Sequence, residues 1–383
     1  MKKLLSNSAV REALRIILAI GSALLLGFII TMFVSEDPVA AYKAFLGGPL
    51  SKFNRFGDWI EESITLTLVG LSVAIAFKAN QFSMGTQGQL VLGALVSGVI
   101  ALYAPLPTIL RVPLALLCAM VIGFIWGWIP GYLKAYLNAN EIVSTLMLNT
   151  IAIKIYDYFL VNFIKPADAG YNISALFPEE GILPSFIPNV PFLSSIHDKF
   201  ASQTNISIML YIVIIGVIIA YYLIFRTPFG YQIRMIGSNA KFARYGGINT
   251  NRTIILVFAV SGIYGALAGA HLTMGINYHI VTNISISMAF EGIIVAILAR
   301  NNPIVVPFTA LAYGYLRAGA NIMERSTDIS REMIYIIQAL IILFVTAESI
   351  LPMVQRRMED QKGQKSAKTK KGLTLPEGGS HED

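Results

Sequence analysis

Runs of about twenty apolar residues, separated by short polar segments, recur from one end of the chain to the other. They fall at residues 14–34, 59–77, 88–104, 112–133, 142–163, 206–225, 253–275, 286–299, 304–322 and 333–351. A helix of about twenty mostly apolar residues crosses the hydrocarbon core of a bilayer. The pattern therefore predicts an all-α fold: a polytopic integral membrane helix bundle of about ten transmembrane helices. The eighth run is short, and Gly314, Arg317 and Gly319 stand inside the ninth. Short or interrupted segments of this kind are expected to be broken helices beside a transport path. The first run follows Met1, Lys2 and Lys3, as in a signal peptide. It has span length and no small-residue cleavage site behind it, so it is read as a retained first span.

Composition agrees with this reading. Of 383 residues, 55% are hydrophobic and 13% charged, whereas soluble domains carry about 25% charged residues. The mean hydropathy is +0.64. The net charge of +7 forms no basic stripe suited to nucleic acid, and a cytoplasmic basic excess explains it more simply. With the N-terminus inside and ten spans threaded, 19 of the 29 Lys and Arg fall in cytoplasmic segments. Both termini are thus expected in the cytoplasm of a multi-pass protein of the cell membrane. Residues 1–352 form the transmembrane domain, with an extracellular loop at 164–205 and a cytoplasmic loop at 226–252. Residues 353–383 read as a basic, disordered cytoplasmic tail within reach of anionic lipid. The segment 35–58 is expected to be a short amphipathic helix and a turn lying on the membrane surface.

Small residues repeat at intervals of four in the fourth span (Gly123, Gly127, Gly131) and the seventh (Gly262, Ala266, Ala270). That spacing lets helices approach closely in lipid, here within one chain. Polar residues at membrane depth are costly and tend to face a cavity or a partner. One cluster, Lys78 to Gln89, joins the second and third spans through Asn80, Gln81, Ser83, Gln87 and Gln89. Its glycines and amides do not suit a lipid-facing helix. A second opens the fifth span: Asn140 suits an N-cap, Glu141 the positive end of the helix dipole, and Ser144, Thr145 and Asn149 continue inward. Two readings stay open there, capping with interhelical hydrogen bonding, or contact with a substrate. In the loop 226–252, Ser238 or Asn239 is expected to cap a short helix carrying Phe242, Ala243 and Tyr245, ended by Gly246 and Gly247. Exposed aromatic groups on such a helix suit docking of a soluble partner.

Several chemistries lack their residues. No Gly-Lys dipeptide is present, so there is no Walker A loop. The four histidines, at 197, 271, 279 and 381, have no metal-ligand spacing, and His271 and His279 are expected to hydrogen-bond near the outer interface. The single cysteine, Cys118, reads as an apolar packer. No nucleophile–base constellation suggests a membrane-embedded enzyme. Glu291 alone is thin support for a proton-driven carrier, which usually needs linked proton-carrying groups.

Taken together, four motifs resemble the permease subunits of ABC importers for simple sugars, branched-chain amino acids and nucleosides, and most nearly the bacterial nucleoside branch, including guanosine permeases. The run Phe82–Gln89 (FSMGTQGQ) is similar to that branch's FNIGAEGQ, with Ser83 in place of Asn and Gln87 in place of Glu. Asn140–Asn149 (NEIVSTLMLN) resembles NEVISTLMLN. Ile233–Ile248 resembles the family's cytoplasmic loop, and Phe290–Pro303 the segment after the seventh span. The resemblance covers about residues 10–352. It implies a transport subunit rather than an enzyme, with no cofactor of its own. Expected partners are a second related permease, two ATP-binding subunits that carry out the hydrolysis, and an extracellular substrate-binding lipoprotein. The substrate path is expected at Asn80, Gln81, Ser83, Gln87, Gln89, Glu141, Ser144, Thr145, Asn149 and Glu291. The ATPase-coupling loop is expected at Arg234, Gly237, Asn239, Ala243, Arg244, Tyr245 and Gly246. A sugar or branched-chain amino acid permease, or a proton-coupled secondary carrier, is the alternative.

Overall fold

The computed structural model describes residues 25–33, 35–187, 204, 206–285 and 288–329, with a few positions between 333 and 340. Its regular elements among these residues are helices. They run α1 (25–33), α2 (Pro38–Gly47), α3 (Phe53–Lys78), α4 (Thr86–Tyr103), α5 (Thr108–Leu137), α6 (Glu141–Phe159), α7 (Met209–Arg226), α8 (Pro228–Ser238), α9 (Ala240–Tyr245), α10 (Thr250–His271), α11 (Met288–Leu298) and α12 (Val306–Ser326). The extended pairings described are isolated bridges, Ile173 with Val281 and Ser185 with Ser207.

Five of these helices are long and apolar enough to cross a membrane: α3, α4, α5, α7, and α10 with the π-turn that continues it to Asn277. The expectation of about ten spans is thus met only in part. Helix α6 has 19 residues but includes Glu141, Lys154 and Asp157, and α12 has 21 but includes Arg317, Glu324 and Arg325. Helix α11 is apolar with only 11 residues. The first and tenth runs lie largely outside the described residues, as do both termini, the tail at 353–383, and much of the loop 164–205.

The ninth run corrects an expectation. It does not break at its glycines, because α12 continues through Gly314 and Gly319. Those glycines serve close packing instead. A Cβ at Gly314 would lie 2.5 Å from Ser63 Oγ, and one at Gly319 would collide with the Phe45 carbonyl. Other boundaries also shift. Of the stretch 80–89, only the part before Thr86 is non-helical. The run 141–149 is regular helix, and the break after α11 falls at residues 299–305. There Arg300 and Asn301 take positive φ values of 51° and 55°. The segment 35–58 forms α2, a 3₁₀ turn at Gly48–Leu50, and then the first turn of α3.

The chain divides into two compact units. The larger, Lys43–Ser326, holds the core. Helix α10 is its axis and packs on α5, α4 and α3, while α3 also meets α11 and α12. The small residues at intervals of four make this possible. Gly123 faces the Gly262 carbonyl and Gly127 the Phe258 carbonyl, so closely that a Cβ on either would overlap the opposite backbone. Gly131 lies over Ile255 in the same way, with a Cβ 2.9 Å from its Cα. The repeat is an intrachain interface, as its spacing predicts. The outward faces of α5 and α7 are apolar, with Leu117, Val121, Ile125, Ile214, Ile218 and Tyr222 exposed. In the smaller unit, Asp328 accepts hydrogen bonds from Ser35 Oγ and the Glu36 amide, both at 2.7 Å. These bonds hold its carboxyl below the usual range.

Candidate functional site

The break between α3 and α4 is assembled from local rules. Helix α3 ends at Lys78, and Asn80 turns the chain in the left-handed region at φ 55°, a conformation asparagine tolerates. The Ser83 hydroxyl accepts from the Gly85 amide at 3.3 Å. Helix α6 then pins the segment from the side. Asn149 Nδ2 donates to the Met84 carbonyl at 2.8 Å, and its Oδ1 accepts the Gly88 amide at 2.9 Å. Thr145 Oγ1 accepts the Met84 amide at 3.3 Å. Both ends of the Asn149 amide are thereby engaged, and Asn149 is only 6% exposed. Below the break, Ser72 Oγ lies within 3.3 Å of Thr86 Oγ1, Gln89 Oε1 and Ser261 Oγ, a polar knot joining α3, α4 and α10. Gln89 is fully buried there, and its Nε2 has no hydrogen-bond partner among the described residues.

The other residues expected on the path are distributed as follows. Gln81 is buried and donates to the Ala79 carbonyl, Asn80 is exposed, and Gln87 is half-buried. Asn140 is the N-cap of α6, accepting from the Ile142 and Val143 amides. Glu141 forms an ion pair with Lys134 at 2.7 Å, and Ser144 bonds back to the Asn140 carbonyl at 3.0 Å. Glu291 is not in this group. It lies on α11, where Arg317 of α12 donates to its carboxylate, and Arg317 Nε also stands 3.6 Å from Glu62 Oε2 on α3. Glu62 precedes Lys78 by sixteen residues, roughly 24 Å along α3 at the helical rise.

The loop after α7 is built by caps. Thr227 Oγ1 accepts the Gly230 amide to start α8, Asn239 Oδ1 accepts the Phe242 amide to start α9, and Asn249 Oδ1 accepts the Arg252 amide to start α10. Of the two caps considered for the short helix, Asn239 is the one used. Ala243 is buried, while Phe242 is 62% and Tyr245 92% exposed. Arg244 and Gly246 are exposed too. Gly247, in the left-handed region at φ 81°, follows Gly246 as the chain leaves α9. Gly237 sits directly on the end of α3, where a Cβ would run into the Lys78 carbonyl. Arg234 donates to the Ile224 carbonyl and lies over the Phe225 ring, as does Lys78. The loop and the break are thus in direct contact.

Sequence reasoning missed a second polar centre. Glu61 Oε2 and His271 Nε2 are 2.5 Å apart. Glu61 Oε1 accepts the Ser207 amide at 2.6 Å, and His271 Nδ1 is 2.8 Å from Thr65 Oγ1. The expectation that His271 bonds at the interface is corrected, because it is fully buried. His279 Nδ1 lies 3.1 Å from the Ser174 carbonyl. The available signal was Glu61 and Glu62 standing inside a span.

Residues 56–346 match the family described as branched-chain amino acid transport system / permease component. The chain belongs to this family. It is an ABC transporter permease, a transport component and an integral membrane protein. It is 29% identical to a glucose ABC transporter permease protein of Haloferax volcanii, over 87% of each chain. It is 29% identical to a nucleoside ABC transporter permease protein of Lactococcus lactis, over 95% of this chain and 99% of that one. A guanosine ABC transporter permease protein of Bacillus subtilis is 28% identical over 90% of this chain and 95% of its own. No solved structure matches the permease.

Proposed function

We propose that this permease carries nucleosides into the cell as the membrane subunit of an ATP-driven importer. It spans the plasma membrane about ten times with both termini in the cytoplasm. It pairs with a second, related permease above two ATP-binding subunits, and an extracellular binding lipoprotein delivers the solute. ATP is bound by the partner subunits. The observation that carries this reading is the seat of Gly237 on the end of α3. It supports direct transmission from a docking helix, α9, with exposed Phe242 and Tyr245, to the break at 79–85. An ATPase that moves the loop biases two arrangements of that break, opening the path to each side in turn. The guanosine and nucleoside relatives favour nucleosides. The glucose relative keeps hexoses as the second reading.

The test is uptake of labelled guanosine and labelled glucose in cells lacking this chain, with and without its gene restored. Guanosine uptake that returns only with the gene supports the assignment, and glucose uptake alone moves it to a sugar. Uptake that survives loss of the ATP-binding subunits but collapses with the proton gradient refutes the importer and makes the chain a secondary carrier.

A further inference from the structure

Trp128, Tyr132 and Tyr136 recur every fourth residue towards the end of α5, so they stand in one column on that helix. Their rings pack along it, with centroids 5.2 and 5.0 Å apart, and all three are exposed. Earlier in the helix the outward face carries Leu117, Val121 and Ile125. The stripe thus changes from aliphatic to aromatic over about five helical turns, roughly 28 Å. Trp and Tyr gather at the level of the lipid headgroups, where a ring is apolar on its body and wet at its tip. The column marks where headgroups meet α5.

It is more than an aromatic belt, because it walls a groove of about 590 Å³. The opposite wall is the start of α10, with Asn249, Arg252 and Leu256. The two helices run antiparallel there, since Gly131 lies over Ile255 and Gly123 over Gly262. Among the described residues, no acidic side chain lines the groove. Arg252 is exposed and forms no ion pair with them. Lys134, in the last turn of α5, is already held by Glu141. Asn249 and Arg252 also line a second recess of about 370 Å³, which runs back to Phe229 and Gly247. The groove therefore pairs a long apolar wall with one uncompensated positive charge at its polar end.

We propose that this groove binds one phospholipid with an anionic headgroup, its phosphate on Arg252 and its acyl chains along the α5 stripe. A guanidinium matches phosphate oxygens in pairs, and the headgroup supplies the negative partner that Arg252 lacks. A choline headgroup would bring its own cation beside the arginine, whereas a glycerol headgroup does not. Free phosphate would use the arginine alone and leave the aromatic and aliphatic wall unexplained. The inference needs only the membrane location of the permease and holds whichever solute is carried.

The test uses Trp128 as its reporter, in the full chain reconstituted into vesicles of phosphatidylcholine with a minor share of phosphatidylglycerol. Bromine on the acyl chains of either lipid quenches a neighbouring tryptophan. The part of the emission lost in Trp128→Phe separates the groove from Trp59 and Trp126. Brominated phosphatidylglycerol should quench that part with an affinity about fivefold above that of brominated phosphatidylcholine, the gain expected of one basic side chain against anionic lipid. Arg252→Gln should abolish the preference, and Arg252→Lys should keep most of it. Equal quenching by the two lipids in wild type, or an undiminished preference in Arg252→Gln, overturns the site. Protection of Trp128 from both lipids also overturns it, because a protein surface then covers the groove. Loss of the preference on adding inorganic phosphate at constant ionic strength overturns it too, in favour of a free-anion site. If Arg252→Gln does not fold, Arg252→Met, which keeps an apolar stem, must show the same loss.

Discussion

Asn149→Leu strikes the side chain that ties α6 both to the break, at the Met84 carbonyl, and to the first turn of α4, at the Gly88 amide. Leucine has the same branched outline but is larger, so the substitution removes hydrogen bonds without opening a cavity and adds some overpacking. It orphans the Gly88 amide and the Met84 carbonyl, bonded at 2.9 and 2.8 Å. The Gly88 amide has little room to find water: a Cβ at Gly88 would meet Trp126 Nε1 at 2.8 Å and Ala152 Cβ at 3.3 Å. The buried Gly88 amide alone costs about 1–3 kcal/mol, and the half-buried Met84 carbonyl adds to it. Thr145→Val gives an internal scale. It removes the 3.3 Å bond from the Met84 amide together with the hydroxyl's bonds back to the Glu141 and Ile142 carbonyls of its own helix, and should cost about 1 kcal/mol. Thermal denaturation of the detergent-solubilised permease, followed by size exclusion, should show Asn149→Leu falling well below Thr145→Val and both below wild type. Membrane insertion should be unchanged, since leucine is the more apolar residue, and transport should fall. An Asn149→Leu protein as heat-stable as wild type would mean that the break is held by something other than these bonds.

Further outcomes follow from the packing and the polar centres. Gly127→Ala places a methyl group on the Phe258 carbonyl and should destabilise by about 1–3 kcal/mol through overpacking. Gly47→Ala, with open space around it, should leave the same denaturation midpoint unmoved, and equal midpoints for the two would refute the close approach of α5 to α10. His271→Leu leaves the buried Glu61 carboxylate with only the Ser207 amide and should cost about 3–5 kcal/mol. Pairing it with Glu61→Gln should restore much of the melting temperature, and a double variant no better than the single would show that the charge was not the cause. Arg244→Glu, on the exposed side of α9, should abolish co-purification of the ATP-binding subunits while leaving the fold intact. Full co-purification would remove the docking role from that helix.

The interior spans were legible in the chain because their signals are local. The second predicted run, 59–77, lies within α3, and the seventh, 253–275, within α10 and its π-turn. The caps Asn140 and Asn239 were legible for the same reason, since each bonds amides two or three residues ahead. A twenty-residue apolar run or a capping asparagine carries its physics within a few turns of helix. The number of membrane-spanning helices was less legible, because α6 and α12 mix spanning length with charge.

What the tertiary structure alone decided is where the polar residues meet. Glu61 and His271 lie 210 positions apart, and Glu62 and Arg317 lie 255 apart. Nothing in the periodicity of one span says which face of another it will touch. Asn149 read equally as a helix-stabilising or a solute-binding residue until Met84 and Gly88 were found at its two amide atoms. Gly314 and Gly319 read as breaks until Ser63 and Phe45 were found against them. A hydrophobic run specifies that a helix forms and enters the membrane. Partnership between side chains depends on which helices lie side by side and how each is rotated, and that is fixed only when close glycine contacts such as Gly123 against Gly262 lock α5 onto α10.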